Sequence, residues 1–133
     1  MPTVKRVPFG FGWEADMPLS QVMRAGDTLY LAGQVPLDDQ GNVVGVNDLG
    51  AQSRQVFRNL ERALAAAGAK LTDVVRLTTY FATELTHEST HEYWAVRREF
   101  FGEHKPASTG LQVSGLIYPT LLLEVDAIAV IQS

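Results

Sequence analysis

Leu121-Leu122-Leu123-Glu124-Val125-Asp126-Ala127-Ile128-Ala129-Val130 reads as one long C-terminal β-strand. Side chains of a strand alternate between its two faces. Leu121, Leu123, Val125, Ala127 and Ala129 therefore share one face, and Leu122, Glu124, Asp126, Ile128 and Val130 the other. Both faces are largely apolar, so both are expected to be covered. A buried carboxylate either finds a partner, protonates, or is there for a chemical purpose. Asp126 is open to either a structural or a functional reading. Glu124 is the candidate functional acid.

Working outward, the rest of the chain supplies the other layers. Val4 to Val7 is a candidate first strand, followed by the Gly-broken aromatic loop Phe9-Gly10-Phe11-Gly12-Trp13-Glu14. Gln21 to Ala25 and Thr28 to Gly33 read as a hairpin turning at Gly26-Asp27, and Asp38 to Asn42 as a turn. Asn47 or Asp48 can cap a helix running to about Ala67, with the apolar stripe Leu49, Val56, Leu60, Ala63, Leu64 and Ala67 and a stop at Gly68. Val74 to Phe81 is a strand. A second helix is expected from Ser89 or Thr90 to Gly102, with Ser89 and Glu92 as a capping box and Arg97-Arg98 on its solvated side. Thr109 to Val113 precedes the final strand.

Two strands, a helix, a strand, a helix and two strands make an α+β arrangement, with both helices on one face of a mixed sheet. Helices on one side leave the second apolar face bare. A homo-oligomer that buries this face is the expected solution, with pockets between subunits.

Composition narrows the function. The 133 residues form one expected domain, with 46% hydrophobic and 20% charged residues. A net charge of −4 with no basic block argues against nucleic acid as a partner. No cysteine means no disulfide, no thiol nucleophile and no thiolate metal site. Neither a signal peptide nor a membrane span is expected, so the cytoplasm is the expected location. His87-Glu88-Ser89-Thr90-His91 matches H-E-x-x-H, but it straddles the expected helix start and has no third ligand downstream. No metal is expected there. The Gly10-Phe11-Gly12 loop lacks the strand and helix of a dinucleotide site, and Ser20, Ser108 and Ser114 lack the setting of a nucleophile.

Several short segments occur together and in order. They are Pro18-Leu19-Ser20-Gln21, Arg24 to Asp27, Leu31 to Pro36, Gln52, Gln55, Asn59 and Leu60, Ala66-Ala67-Gly68, Leu71 to Val75, Phe100-Phe101, Pro106 to Thr109 and Glu124 to Val130. In this combination, from about Pro18 to Val130, the chain resembles the Rid family, also called YjgF. The resemblance implies a chorismate-mutase-like fold and a homotrimer with three intersubunit pockets. It also implies cofactor-free hydrolytic deamination of enamines and imines such as 2-aminoacrylate. Glu124 corresponds to the family's acid. At the family's carboxylate-clamping Arg the chain has Ser108, and Leu19, Ala32 and Trp94 replace its Tyr, Ser and Asn.

A neutral Ser108 cannot make a bidentate pair with a carboxylate. The expected pocket is therefore more apolar, walled by Leu19, Ala32, Trp94 and Tyr118. Backbone N–H groups at Gly33 and Gly110 would bind polar substrate atoms, and Glu124 would relay protons. The expectation is a small-molecule deaminase or related hydrolase, without cofactor or metal, acting on an enamine or imine other than 2-aminoacrylate. The alternative is a noncatalytic trimer that binds a small molecule or partner.

Overall fold

A computed structural model describes residues 3–132. Six strands form one sheet: β1 (Val4–Arg6), β2 (Val22–Ala25), β3 (Thr28–Gln34), β4 (Val74–Phe81), β5 (Ala107–Gln112) and β6 (Leu123–Val130). Their spatial order is β1-β2-β3-β6-β4-β5. Only β4 and β5 run parallel; the other neighbours are antiparallel. The helices α1 (Leu49–Ala66) and α2 (His91–Phe101) make the crossovers into β4 and β5. This is the expected α+β architecture, and no helix among the described residues is long and apolar enough to cross a membrane.

The final strand sits between β3 and β4 and alternates as its sequence predicts. Leu123, Val125, Ala127 and Ala129 are buried under the helices, against Val56, Phe57, Leu60, Ala63 and Leu64 of α1 and Tyr93, Val96 and Phe101 of α2. The opposite face is not covered by any element of the same chain to that degree. Leu122, Glu124, Asp126, Ile128 and Val130 are only half-buried, and Tyr30 on β3 is 51% exposed.

Local chemistry sets the helix ends. Asp48 caps α1 by accepting a hydrogen bond from Ala51 N at 3.0 Å, while Asn47 takes the left-handed conformation before it. Gly68, with φ of +77°, follows the helix as the C′ residue. At α2 the expected capping box is not made; Thr90 stands at the N-cap, one of the two expected starts, and the helix begins at His91. Ser89 instead exchanges hydrogen bonds with Thr86, and Glu92 accepts from Gly50 N at 3.1 Å in the first turn of α1. Glu92 thus satisfies an orphan donor of the neighbouring helix rather than of its own. His87 lies in the turn before α2, so it and His91 do not share a helix face.

Two buried amides tie the helix layer to the loops that lead to and from the sheet. Asn59 donates to the carbonyls of Val35 and Leu37, both at 3.0 Å. Gln52, fully buried, donates to Gly45 O at 3.1 Å and Thr120 O at 2.9 Å and accepts from Leu122 N at 2.8 Å. It therefore anchors the entry to β6. Gln52→Leu keeps the volume but leaves Thr120 O and Leu122 N without their partners, while Gly45 O still accepts from Asp48 N, and should lower unfolding free energy by about 3 kcal/mol. Urea unfolding, with an unchanged slope and a lower midpoint, is the check.

Candidate functional site

The pairing of β3 with β6 is irregular between Leu31 and Gln34: Leu31 faces Ala127, but Gln34 faces Val125. One extra residue in β3 makes a β-bulge at Ala32-Gly33, a device that re-aims side chains at strand ends. The bulge brings Gly33 against Glu124. A Cβ at Gly33 would fall within 2.7 Å of Glu124 Cδ and closer still to its carboxylate oxygen, so only glycine lets this carboxylate lie across β3.

Beside the bulge opens a cavity of about 500 Å³. Glu124, Ala32 and Gly33 line it together with Leu19, Tyr118, Ile117, Trp13 and Glu14. No Lys, Arg or His is among its lining residues. Five of the positions expected from the sequence therefore meet here: Leu19, Ala32, Gly33, Tyr118 and Glu124. Trp94, Ser108 and Gly110 do not reach this cavity within one chain. Ser108 and Gly110 lie on the edge strand β5, opposite Leu77 and Thr79 of β4. Trp94 stands on α2, 39% exposed.

The two carboxylates of β6 have different surroundings. Asp126 accepts a hydrogen bond from the Tyr80 hydroxyl at 2.9 Å, and this bond, with burial, raises the Tyr80 pKa. Tyr80 of β4 is the register partner of Glu124 on β6. Glu124 itself receives no side-chain hydrogen bond among the described residues. Burial, and then the negative charge of Asp126, push its pKa above the ordinary glutamate value. Of the pair, Asp126 has a structural partner and Glu124 does not.

The sequence did not single out the second acid of the cavity. Glu14 closes a 3-10 turn (Gly12–Glu14) and is 7% exposed. It accepts from Phe11 N at 3.0 Å and from Gln21 Nε2; Gln21 Oε1 accepts in turn from Gln34 Nε2 at 2.6 Å. This chain of hydrogen bonds holds the aromatic loop against the β2–β3 layer. A Glu in a loop without periodicity gives no pattern that would mark it. Trp13 stacks on Phe11, and its buried indole N–H has no acceptor among the described residues.

On the other side of the sheet Arg97 departs from expectation. It is 8% exposed rather than solvated, because α2 turns it inward over β5. Its Nη1 donates to Tyr93 OH at 3.1 Å and to Ser108 Oγ at 2.9 Å.

The chain matches the family model described as Endoribonuclease L-PSP over residues 13–131. It is 38% identical to a RutC family protein of Pyrococcus horikoshii over 112 residues, which cover 84% of this chain and 86% of that protein. It is 31% identical, over the same shares, to the protein of Acinetobacter baylyi named 3-aminoacrylate deaminase RutC. Among solved structures it resembles YyfA of Yersinia pestis, described as a conserved Rid family protein of unknown function. There the TM-score is 0.85 at 25% identity, covering 97% of this chain and all of that one.

A carboxyl group that binds its proton more tightly in the folded chain adds stability while protonated. That contribution is lost as pH rises from the ordinary value, 4.5, through the raised folded value. Glu124→Gln is neutral throughout. It should therefore match or exceed the wild type in melting temperature at neutral pH and lose this advantage in acid. Thermal melts across this range test it; a lower melting temperature at neutral pH would reveal a donor that holds the carboxylate.

Proposed function

From the premise that this chain belongs to the endoribonuclease L-PSP family, also called YjgF, Rid or RutC, we propose that it is a cofactor-free hydrolytic deaminase. Its substrate is an enamine or imine other than 2-aminoacrylate, bound in the cavity beside the Ala32-Gly33 bulge. The observation that carries this reading is Glu124: a half-buried carboxylate with a raised pKa, held over a glycine, facing a cavity and without a side-chain hydrogen bond among the described residues. A deaminase name for the Acinetobacter relative supports the reaction class.

The chemistry asks for one group that can take and return a proton near neutral pH. An enamine first takes a proton on carbon from protonated Glu124 and becomes an iminium ion, which leaves Glu124 ionised. Glu124 then takes a proton from a water as the water oxygen bonds to the iminium carbon, and the C=N π electrons move to nitrogen. The product of that step is a neutral carbinolamine. Glu124 returns its proton to the amino nitrogen; the C–N bond then breaks as the hydroxyl proton passes to the Glu124 carboxylate and C=O forms, so that the carbonyl product and ammonia leave and Glu124 is protonated again. Burial tunes Glu124 for this exchange by bringing its pKa closer to neutrality.

The walls define the substrate class. Two carboxylates, Glu14 and Glu124, and no basic side chain line the cavity. Such a field favours a cationic iminium and opposes a substrate carboxylate. Leu19, Ile117, Trp13 and Tyr118 add apolar and aromatic surface for a larger body. RNA cleavage, which the family's name suggests, is not supported by a net charge of −4.

Assembly belongs to the same proposal. The half-covered sheet face with Tyr30, Tyr80, Ile128 and Val130 supports self-association, and a homotrimer is the expected state. Light scattering at micromolar concentration should give three times the chain mass; a stable monomer would refute it.

Glu124→Gln should reduce deamination of any accepted imine by at least about a hundredfold while leaving assembly intact, since Gln keeps the shape but cannot carry the proton. The assay follows ammonia release from imines generated in situ by amine or amino-acid oxidases. Release from 2-aminoacrylate should stay near background. Full activity in the Gln variant would remove Glu124 from the mechanism.

A further inference from the structure

The bulge beneath Glu124 has supports of its own. Ala32 and Gly33 have no register partner on β6, where the pairing steps from Leu31–Ala127 to Gln34–Val125. The peptide groups of Ala32 are held from another direction. Its N–H donates to Gln21 O at 2.8 Å, and its C=O accepts from Gln34 Nε2 at 2.9 Å. Without these two bonds the bulge would lose what fixes its shape. Glu124, which lies across Gly33 with no room for a Cβ between them, would move with it.

Gln34 can serve Ala32 O in one orientation only, with its nitrogen toward the bulge. An amide has a donating and an accepting end, and nothing in its shape prevents it from turning over. Here a chain of partners prevents it. Gln34 Nε2 also donates to Gln21 Oε1 at 2.6 Å, and Gln21 Nε2 donates to Glu14 Oε2. The chain ends on Glu14, and a carboxylate only accepts. Glu14 therefore sets the direction of Gln21, and Gln21 sets that of Gln34. The second oxygen of Glu14 accepts from Phe11 N at 3.0 Å, so the carboxylate is itself fixed at both oxygens. Glu14, Gln21 and Gln34 are 7%, 4% and 1% exposed, and water does not compete for their bonds.

We propose that Glu14 is a positioning residue for Glu124: acting through Gln21 and Gln34, it fixes the Ala32-Gly33 bulge and with it the place of the Glu124 carboxylate in the cavity. The consequence for catalysis rests on the reading of Glu124 as the reacting acid, whereas the positioning is a property of the substrate-free protein. Burial is the first cause of the raised Glu124 pKa, and its burial depends on where the bulge holds it. Glu14 lines the same cavity, but its oxygens are engaged by Phe11 and Gln21, which suits support rather than contact with substrate.

The test is a titration of Glu124 in the substrate-free assembled protein, followed by its side-chain carboxyl 13C resonance and assigned by the loss of that signal in Glu124→Gln. Gln34→Met keeps the bulk but cannot donate to Ala32 O. Glu14→Asp keeps the charge but withdraws the carboxylate from Gln21. Each should lower the Glu124 pKa toward the ordinary value by at least about half a pH unit, and shift the limb of the pH–rate profile that reports Glu124 equally for any accepted imine. Asp73→Ala removes the acceptor of Lys70 N beside Val74, which pairs with Ala129 near the other end of β6. It destabilises the fold away from the bulge and should leave the Glu124 titration unchanged. Side-chain amide exchange supplies a second measurement that does not need Gln34→Met to fold. The Gln21 and Gln34 amides should exchange slowly in the wild type, and at least tenfold faster in Glu14→Asp, while the buried Gln52 amide is unaffected. An unchanged Glu124 titration in a folded variant, an equal shift in Asp73→Ala, or rapid exchange of the two amides in the wild type would overturn the proposal. The titration needs no substrate: a protein that deaminates none of the imines tried would remove the proposed reaction, while a shifted Glu124 would still uphold the positioning.

Discussion

A strand hydrogen-bonded on both edges has no freedom of register, and β6 is such a strand. Slipping it by one residue would turn Leu123, Val125, Ala127 and Ala129 out of the core and drive Glu124 and Asp126 beneath the helices. The helix-side core and the carboxylate face are thus two sides of the same constraint. Every residue that packs on the odd face of β6 also contributes to where Glu124 points.

Polar side chains make this rigid frame specific. Gln52, Asn59 and Gln34 are buried in positions where each connects separate segments of backbone or side chain. A buried amide tolerates little displacement, since an unmade hydrogen bond there costs more than a made one contributes. The loops around the Glu124 cavity are consequently positioned by the interior. The loop containing Glu14 is held through Gln21 and Gln34, and the segment entering β6 is held through Gln52. Loops fixed in this way can present functional groups without regular secondary structure of their own.

Two charges stand outside this economy of paired groups. Among the described residues Glu124 has no side-chain donor and Arg97 no counter-ion, while the three ion pairs there, Arg24–Asp27, Arg54–Glu99 and Arg62–Asp39, are all exposed. Partly buried groups of this kind cost stability, and proteins carry such costs mainly where a ligand or reaction uses them.

Period-two alternation in Leu121 to Val130, period-3.6 spacing in the first helix, and turn chemistry at Gly26-Asp27 and Gly68 made the strands, the longer helix and the α+β class legible from the chain alone. The same alternation put Glu124 and Asp126 on one face. These signals are local, and local geometry is what neighbouring residues dictate. The rest needed residues far apart in sequence to meet. Glu92 caps α1 instead of α2 because Gly50 lies beside it. Glu14 becomes a wall of the cavity only through Gln21 and Gln34. Asp126 is distinguished from Glu124 by a tyrosine on β4, and Arg97 is buried because α2 folds it onto β5. Gly33 was visible as a glycine in a strand, but the carboxylate that requires it comes from another strand 91 positions later (124 − 33). Sequence periodicity specifies which way a side chain faces; what it faces is decided by tertiary packing.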